Sequence, residues 1–369
     1  MARGKVRPLE KISPADISSG TPFVIFGAGN LGRKVARALQ GSGGHVVAFC
    51  DNNRALWGSA ISAAPVMSPA QAVASFPDAL FLVAIWHPAM QGGLRHHVEF
   101  LRVLGCRRVT TFIPVMWNFP QTFLPNMFWD LPGKLEAASD AVHEARNLLD
   151  DAGKAEFERQ WKFRIEADPF CLADLEPSPQ YFPPDFFQLS SDECFIDCGA
   201  FDGDTLAQFL KQTNHRFNRY IAFEPEPTNF SRLETAVASA EELAFRISIY
   251  PYAVGARSET LSFSSAGISS IVSAEGDLKV ECIALDEVLR DDRPTFIKMD
   301  IEGFELEALA GARTCIQRHR PKLAICVYHS PDHLWRVPLA LHELLPGSRM
   351  TMRSYQVDGF DTVCYCLPD

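Results

Sequence analysis

The stretch Cys194-Phe195-Ile196-Asp197-Cys198-Gly199-Ala200-Phe201-Asp202-Gly203-Asp204-Thr205 decides the fold. An apolar strand runs into a turn of small residues and then into a helix start, so backbone N–H groups at the turn can approach a ligand closely. Ala222-Phe223-Glu224-Pro225 follows, a second apolar strand closed by an acid. A carboxylate at that place suits a ribose diol, because it accepts hydrogen bonds from hydroxyls. Strand, glycine turn, helix, strand and acid together predict a doubly wound α/β sheet with a nucleoside-type ligand across it.

Working outward, the spacing predicts strands at Cys194–Cys198, Tyr220–Phe223, Ser248–Tyr252, Thr295–Asp300 and Lys322–Val327. Helices are expected at Thr205–Gln212, Asn229–Ala238 and Phe304–His319, and the tail from Arg349 to Leu367 reads as two antiparallel strands around an Asp358-Gly359 turn. Residues 115–189 are rich in Trp, Phe and Pro at first (Trp117, Phe119, Phe123, Phe128, Trp129), then charged and helical from Lys134 to Ile165. They are expected to connect and cover, with the aromatics either packing as core or lining an acceptor pocket. Residues 1–114 alternate strands and helices again: Phe23–Phe26, a helical stretch Arg33–Gln40, Val46–Cys50, Phe81–Ile85 and Arg108–Phe112. The expectation is two Rossmann-like α/β domains, residues 1–114 and 190–369, joined by the helical region 115–189.

The formal charge of −10 argues against general nucleic-acid binding, which needs a basic face. The ten cysteines include no Cys-x-x-Cys pair and no zinc spacing, and several sit in apolar strands, which favours a reducing compartment. Met1 to Gly20 has no apolar signal core, and the apolar run Ala79–Trp86 is too short to cross a bilayer. A soluble, cytoplasmic protein without membrane insertion is expected, with homo-oligomerisation left open.

The segments FIDCGAFDGDT, IAFEPEPTNF, YAVG, ECIALDEVL, FIKMDIEGFELEALAGA and RPKLAICVYH occur in this order between Phe195 and His329. Through them, residues 195–367 resemble the FkbM family of S-adenosylmethionine-dependent methyltransferases, the KMDIEGFE block being the most specific. The resemblance implies a class I methyltransferase fold, a seven-stranded and mostly parallel sheet with an antiparallel terminal strand. It further implies S-adenosyl-L-methionine as cofactor and methyl transfer, usually to an oxygen of a sugar or natural product. The acceptor is then a small molecule or carbohydrate, a nucleotide-sugar among the options.

Cofactor contacts are expected at Asp197, Gly199, Ala200, Asp202, Gly203, Asp204, Thr205, Glu224, Pro225, Ala253 and Val254. Gly199 lets the backbone approach the methionine part, Asp197 is placed to receive its ammonium, and Glu224 to bind the ribose hydroxyls. Asp202 and Asp204 repel a pyrophosphate and tolerate a sulfonium, with helix capping as the plain alternative for Asp204. Tyr181, just before the domain, is a candidate cover for the cofactor.

Lys298-Met299-Asp300-Ile301-Glu302-Gly303 ends an apolar strand. Alternation puts Lys298 and Asp300 on one face, and Glu302 joins them if the chain stays extended. Buried charges cost several kcal/mol unless paired, and ligands bind at the carboxyl edge of such sheets. Asp300 is therefore the first candidate to orient or deprotonate an acceptor hydroxyl, with Lys298, Glu302 and His329 as further catalytic candidates. No metal is assigned: the alternative, His329, His333 and Asp332 joining Asp300, is opposed by Pro331, which breaks a regular His-x-x-x-His helix.

Gly27-x-Gly29-x-x-Gly32 with Asp51 downstream fits the dinucleotide fingerprint. Gly27, Gly29, Asn30, Leu31, Gly32 and Asp51 thus form a second candidate site, for a nucleotide or nucleotide-sugar. A purely structural domain, an NAD-dependent oxidoreductase and a non-catalytic nucleotide-sensing module are the competing readings.

Overall fold

The computed structural model describes residues 8–88, 92–175, 178–266, 269–272 and 278–368. The chain forms two compact units. One comprises residues up to Ala137 with Arg159–Asp174 and Gln356–Phe360; the other comprises Ala138–Glu158, Leu175–Tyr355 and the chain from Asp361 on. The stretch expected as a connecting region, 115–189, is thus shared between both units.

The first unit holds strands β1 (Pro22–Phe26), β2 (His45–Cys50), β3 (Ala60–Ile61), β4 (Ala64–Met67), β5 (Leu80–Val83) and β6 (Arg108–Thr111) in the order β3-β4-β2-β1-β5-β6. All pairings are parallel except the β3–β4 hairpin. Phe23 to Phe26 are wholly buried, as continuous apolar runs are when helices cover both faces of a sheet. Helix Asn30–Gly41 buries Gly32, Val35, Ala36 and Leu39, the one-sided helical spacing. Gly32 is there for contact: a Cβ would lie 1.8 Å from the Gly27 carbonyl oxygen. Beyond β5 and β6 the sheet end is filled with rings, Trp86 packing on Phe112, Phe128, Trp129 and Phe360. Phe128 and Trp129 of the aromatic stretch are therefore core. The Asp358 carboxylate accepts the Leu94 N–H (2.9 and 3.1 Å to its two oxygens) at the start of helix Gly93–Val103. Burial pushes this carboxyl up to about 7 against that hydrogen bond.

The second unit contains β7 (Cys194–Cys198), β8 (Arg219–Phe223), β9 (Ile247–Tyr250), β10 (Ala253–Val254), β11 (Glu259–Ala266), β12 (Ser269–Val272), β13 (Leu278–Ile283), β14 (Phe296–Met299), β15 (Lys322–Cys326), β16 (Arg349–Ser354) and β17 (Thr362–Leu367). Seven of them form one sheet, β16-β17-β15-β14-β7-β8-β9. It is parallel from β15 through β9, with β17 antiparallel to β15 and β16, the architecture expected of residues 190–369. A separate smaller sheet has the order β10-β13-β11-β12.

Two helical expectations change. The helix expected over Phe304–His319 is two, Glu305–Gly311 and Arg313–His319, broken at Ala312 (φ −111°). Gly311 packs so tightly that a Cβ would sit 2.1 Å from the Gly255 carbonyl oxygen, which fixes where the first helix ends. The charged stretch Lys134–Ile165 is three helices, Pro132–Glu136, Ser139–Asn147 and Asp151–Glu166.

Candidate active site at the carboxyl ends of β7, β8 and β14

The glycine turn closes tightly against the neighbouring strands. Gly199 has φ +80°, and a Cβ there would lie 1.9 Å from the Asp300 carbonyl oxygen, so only glycine fits. The N–H groups of Gly199 and Ala200 both reach the Phe223 carbonyl at the end of β8. Gly203 (φ +93°) then turns the chain into helix Asp204–Gln212. The N-cap is therefore Gly203 and not an aspartate; Asp204 is the first helical residue and accepts the Thr205 N–H at 2.6 Å. Thr205 is buried, and Asp202 is half-buried in the turn.

Glu224 is 6 % exposed. Its carboxylate accepts the Phe201 N–H of the glycine turn and the Glu226 N–H, each at 2.9 Å. Burial nevertheless raises its carboxyl to about 7. Each oxygen keeps a lone pair for a further donor. Ala253 and Val254 lie buried in β10, and Ala253 clusters with Val280 and Cys282 of the smaller sheet. An aromatic ladder that the sequence reading missed, Phe223, Tyr250 and Tyr252, stacks beside them with ring planes 19° and 12° apart.

Lys298 does not pair with Asp300. Its ammonium lies 3.0 Å from Asp197 Oδ1 and donates to the Gly199 carbonyl at 2.6 Å, with both side chains sealed from solvent. Tyr220 donates to the other Asp197 oxygen. Asp197 is thus filled by a lysine and a phenol, which corrects its expected role as receiver of an external ammonium. Burial disfavours the charged amine, yet Asp197 and then Asp300 hold Lys298 well above the usual lysine range. The pair ties β7 to β14 and fixes the glycine turn through its carbonyl.

Asp300 follows β14 and is presented by two phenols. Tyr181 donates to Oδ2 at 2.7 Å and Tyr328 to Oδ1 at 3.1 Å. Burial first, then the Asp300 charge, pushes both phenols well above their ordinary value, so they remain donors. Tyr181 has φ +67°, receives Lys298 Nζ 5.1 Å from its ring centre, and is anchored by its N–H on the Tyr365 hydroxyl. It therefore sits on the charge pair and Asp300.

The chain does not stay extended to Glu302, which has φ +56° before Gly303 at +106°. That left-handed turn still brings Glu302 Oε2 to 3.6 Å from His329 Nε2, while Asp300 Oδ1 lies 3.3 Å from the same nitrogen. The other ring nitrogen, Nδ1, is 2.8 Å from Glu305 Oε1. Glu305, fully buried at the start of its helix, also accepts the Ile301 N–H and faces His333 Nδ1 at 3.1 Å. Burial disfavours an imidazolium at His329, but Glu305, Asp300 and Glu302 outweigh it and lift the ring to about 10. Burial would raise Glu305, but the two histidines hold it well below the usual carboxylate range. Burial lifts Glu302 to about 7, and Asp361 too, the latter helped by Asp300. Glu305, Tyr328, Tyr220 and Asp361 are site residues absent from the sequence expectations, while His333, weighed there only as a metal ligand, faces Glu305. Among the described residues, Asp300, Glu302, His329, Lys298, Tyr181 and Asp197 converge, and the Gly199–Gly203 turn with Glu224 adjoins them through Gly199.

The fingerprint glycines belong to the first unit. Asp51 repeats the Glu224 arrangement: it accepts the Ala28 N–H and the Asn53 N–H, each at 2.7 Å. Asn30 and Leu31 open the helix after Gly29, which caps it without a side chain.

Three comparisons bear on this geometry. Residues 197–356 match the model of the methyltransferase FkbM domain. Over 104 residues the chain is 30 % identical to the hexuronic acid methyltransferase AglP of Haloferax volcanii, covering 26 % of this chain and 42 % of that protein. The chain thus spans less than half the length of that relative. The fold matches the crystal structure of the methyltransferase FkbM from Methylobacillus flagellatus with a TM-score of 0.78, across 96 % of this chain and 94 % of that one, at 23 % identity. The family match is confined to residues 197–356, which lie mostly in the second unit.

Proposed function

We propose that the second unit transfers a methyl group from S-adenosylmethionine to a hydroxyl of a carbohydrate. The observation that carries this is Glu224, a buried strand-end carboxylate bonded to the glycine turn and beside a strand end crowded with carboxylates. The donor set fits the cofactor: Glu224 suits a ribose diol, and Asp300, Glu302 and Asp361 favour a positively charged sulfonium over a phosphate. S-adenosylmethionine supplies an activated methyl group with a neutral thioether leaving group. Hexuronic acid methylation by the Haloferax protein supports a sugar acceptor.

Asp300, fixed by its two phenols, orients the acceptor hydroxyl and takes its proton as the new O–C bond forms. Positioning of this kind is worth roughly 7–11 kcal/mol, and a base adds about 3–5 kcal/mol. Lys298 and Asp197 hold the turn and strand end rigid. Isothermal titration of S-adenosylhomocysteine tests the reading. Saturable binding, weakened at least tenfold in Glu224→Ala, is expected; no binding to the native chain removes it.

We further propose a nucleotide or nucleotide-sugar at Gly27–Gly32 and Asp51 of the first unit. Its support is Gly29: its φ is −76° and a Cβ would meet no described atom within 4 Å, so the fold itself does not ask for glycine there. A bulky Gly29→Val that leaves stability unchanged and abolishes nucleotide binding fits a ligand; absence of any binding by the native chain leaves a structural domain.

A further inference from the structure

His329 Nε2 is a buried nitrogen with no hydrogen-bond partner among the described residues, on a side chain 2 % exposed. It points at Asp300 Oδ1 (3.3 Å) and Glu302 Oε2 (3.6 Å), two atoms that also accept or carry negative charge. The ring is held from behind: Nδ1 meets Glu305 Oε1 at 2.8 Å, and Glu305 is itself fixed by the Ile301 N–H and sits against His333. With Nδ1–H donated to Glu305, Nε2 faces the two carboxylates, and a cation that displaces its proton would meet the lone pair there. A carboxylate behind an imidazole is the arrangement that orients a metal-binding histidine. Asp300, Glu305 and His329 offer ligand atoms that all lie within 4.8 Å of one another.

We propose that Asp300, Glu302 and His329 Nε2 bind one first-row divalent cation, with Glu305 as the carboxylate that orients the histidine. Donors that share an ion at about 2.0–2.2 Å lie roughly 3.0–3.6 Å apart when adjacent around it, which the two separations match. One imidazole with carboxylates suits Mn²⁺, Fe²⁺ or Zn²⁺ better than Ca²⁺, which prefers oxygen alone. Glu302, not His333, completes the set, because the left-handed turn at Glu302 and Gly303 carries its side chain back towards β15. The ion neutralises a carboxylate cluster that its own histidine only partly balances. If the methyl acceptor is a sugar, as proposed above, the open positions of the ion would chelate neighbouring hydroxyls or a uronate carboxylate. Ion binding itself does not depend on that reading.

The experiment is a Mn²⁺ titration of the full, chelator-stripped chain without donor or acceptor, followed by electron paramagnetic resonance. The expected result is one tight ion per chain, with ¹⁴N modulation from a bound imidazole in the pulsed spectrum. His329→Ala and Glu302→Gln should each weaken binding at least about tenfold. Asp151→Asn, at a fully exposed acid 3.9 Å from Lys154, should leave it unchanged. No saturable uptake, several equivalent weak ions, binding that survives both variants, or a spectrum without nitrogen coupling would each overturn the site and leave His329 as an imidazolium. The native spectrum decides even if a variant fails to fold. S-adenosylhomocysteine binding to the stripped chain is measured separately, so a failure of the methyltransferase reading and a failure of the ion site give different results.

Discussion

Both units place a glycine turn after a parallel strand and close the next strand with an acid that accepts N–H groups from the turn, Asp51 in one and Glu224 in the other. The strands beside them end differently. In the first unit β5 and β6 run on into Ala84, Trp86 and Phe112, packed rings among which Trp86 Nε1 and Thr111 Oγ1 have no hydrogen-bond partner among the described residues. In the second, β14 and β15 run on into Asp300, Glu302, Tyr328 and His329. On the reading proposed above, the turn and its acid cradle a nucleoside and the neighbouring strand ends supply reactivity; among the described residues, the clustered acids at those ends belong to the second unit. Gly199 and Gly29 differ in the same sense, one demanded by packing and one by no described atom.

The largest expected effect strikes that charged strand end. Asp300→Asn should lower the turnover number about 10²–10⁴-fold while leaving S-adenosylhomocysteine affinity within a few-fold; unchanged turnover would move the chemistry off β14. Lys298→Met leaves Asp197 buried without its cation and should cost about 3–5 kcal/mol in denaturant unfolding. A loss below 1 kcal/mol would mean the pair is not the clamp described. Gly199→Ala forces a Cβ against the Asp300 carbonyl at positive φ and should cost roughly 2–4 kcal/mol.

The first unit predicts smaller effects. Asp358 is a buried carboxyl raised to about 7. Its protonated form is the one the fold favours, so its stabilising contribution is complete below the unfolded value near 4 and disappears as pH rises through 7. Raising pH from 6 to 8.5 should therefore cost roughly 1–2 kcal/mol, a slope that Asp358→Asn removes. An identical slope in the variant would contradict the assignment. Gly29→Ala should shift stability by no more than about 0.5 kcal/mol. A cost comparable to that of Gly199→Ala would erase the distinction between the two turns.

The strands of the parallel sheet cores were legible as short apolar runs bounded by turn residues, and β7 with its glycine turn could be read outright; β3, β4 and the whole sheet β10-β13-β11-β12, short or polar in sequence, were not. The break at Ala312 was not legible either: Gly311 weakens a helix locally by only about 1 kcal/mol, and its close contact with the Gly255 carbonyl adds the tertiary constraint. The Lys298–Asp197 pair was hidden for a similar reason: alternation places Lys298 and Asp300 on one face but says nothing of the adjacent parallel strand, whose Asp197 is its register partner. Glu305 read as an ordinary helix start, and Tyr220 as one more apolar strand residue. Both earn their roles only when β15 and β7 return alongside. Asp358 was readable as a turn residue, whereas its bond to Leu94 spans 264 positions and leaves no local trace.

The central claim is that the Gly199–Gly203 turn and Glu224 hold the methyl donor with its sulfonium beside Asp300. A crystal structure of the full chain with S-adenosylhomocysteine tests it most directly. The account predicts ribose hydroxyls on the Glu224 carboxylate and the sulfur facing Asp300. Product bound elsewhere, or a Glu224 still turned only to its backbone partners with the ligand absent at saturating concentration, would contradict it.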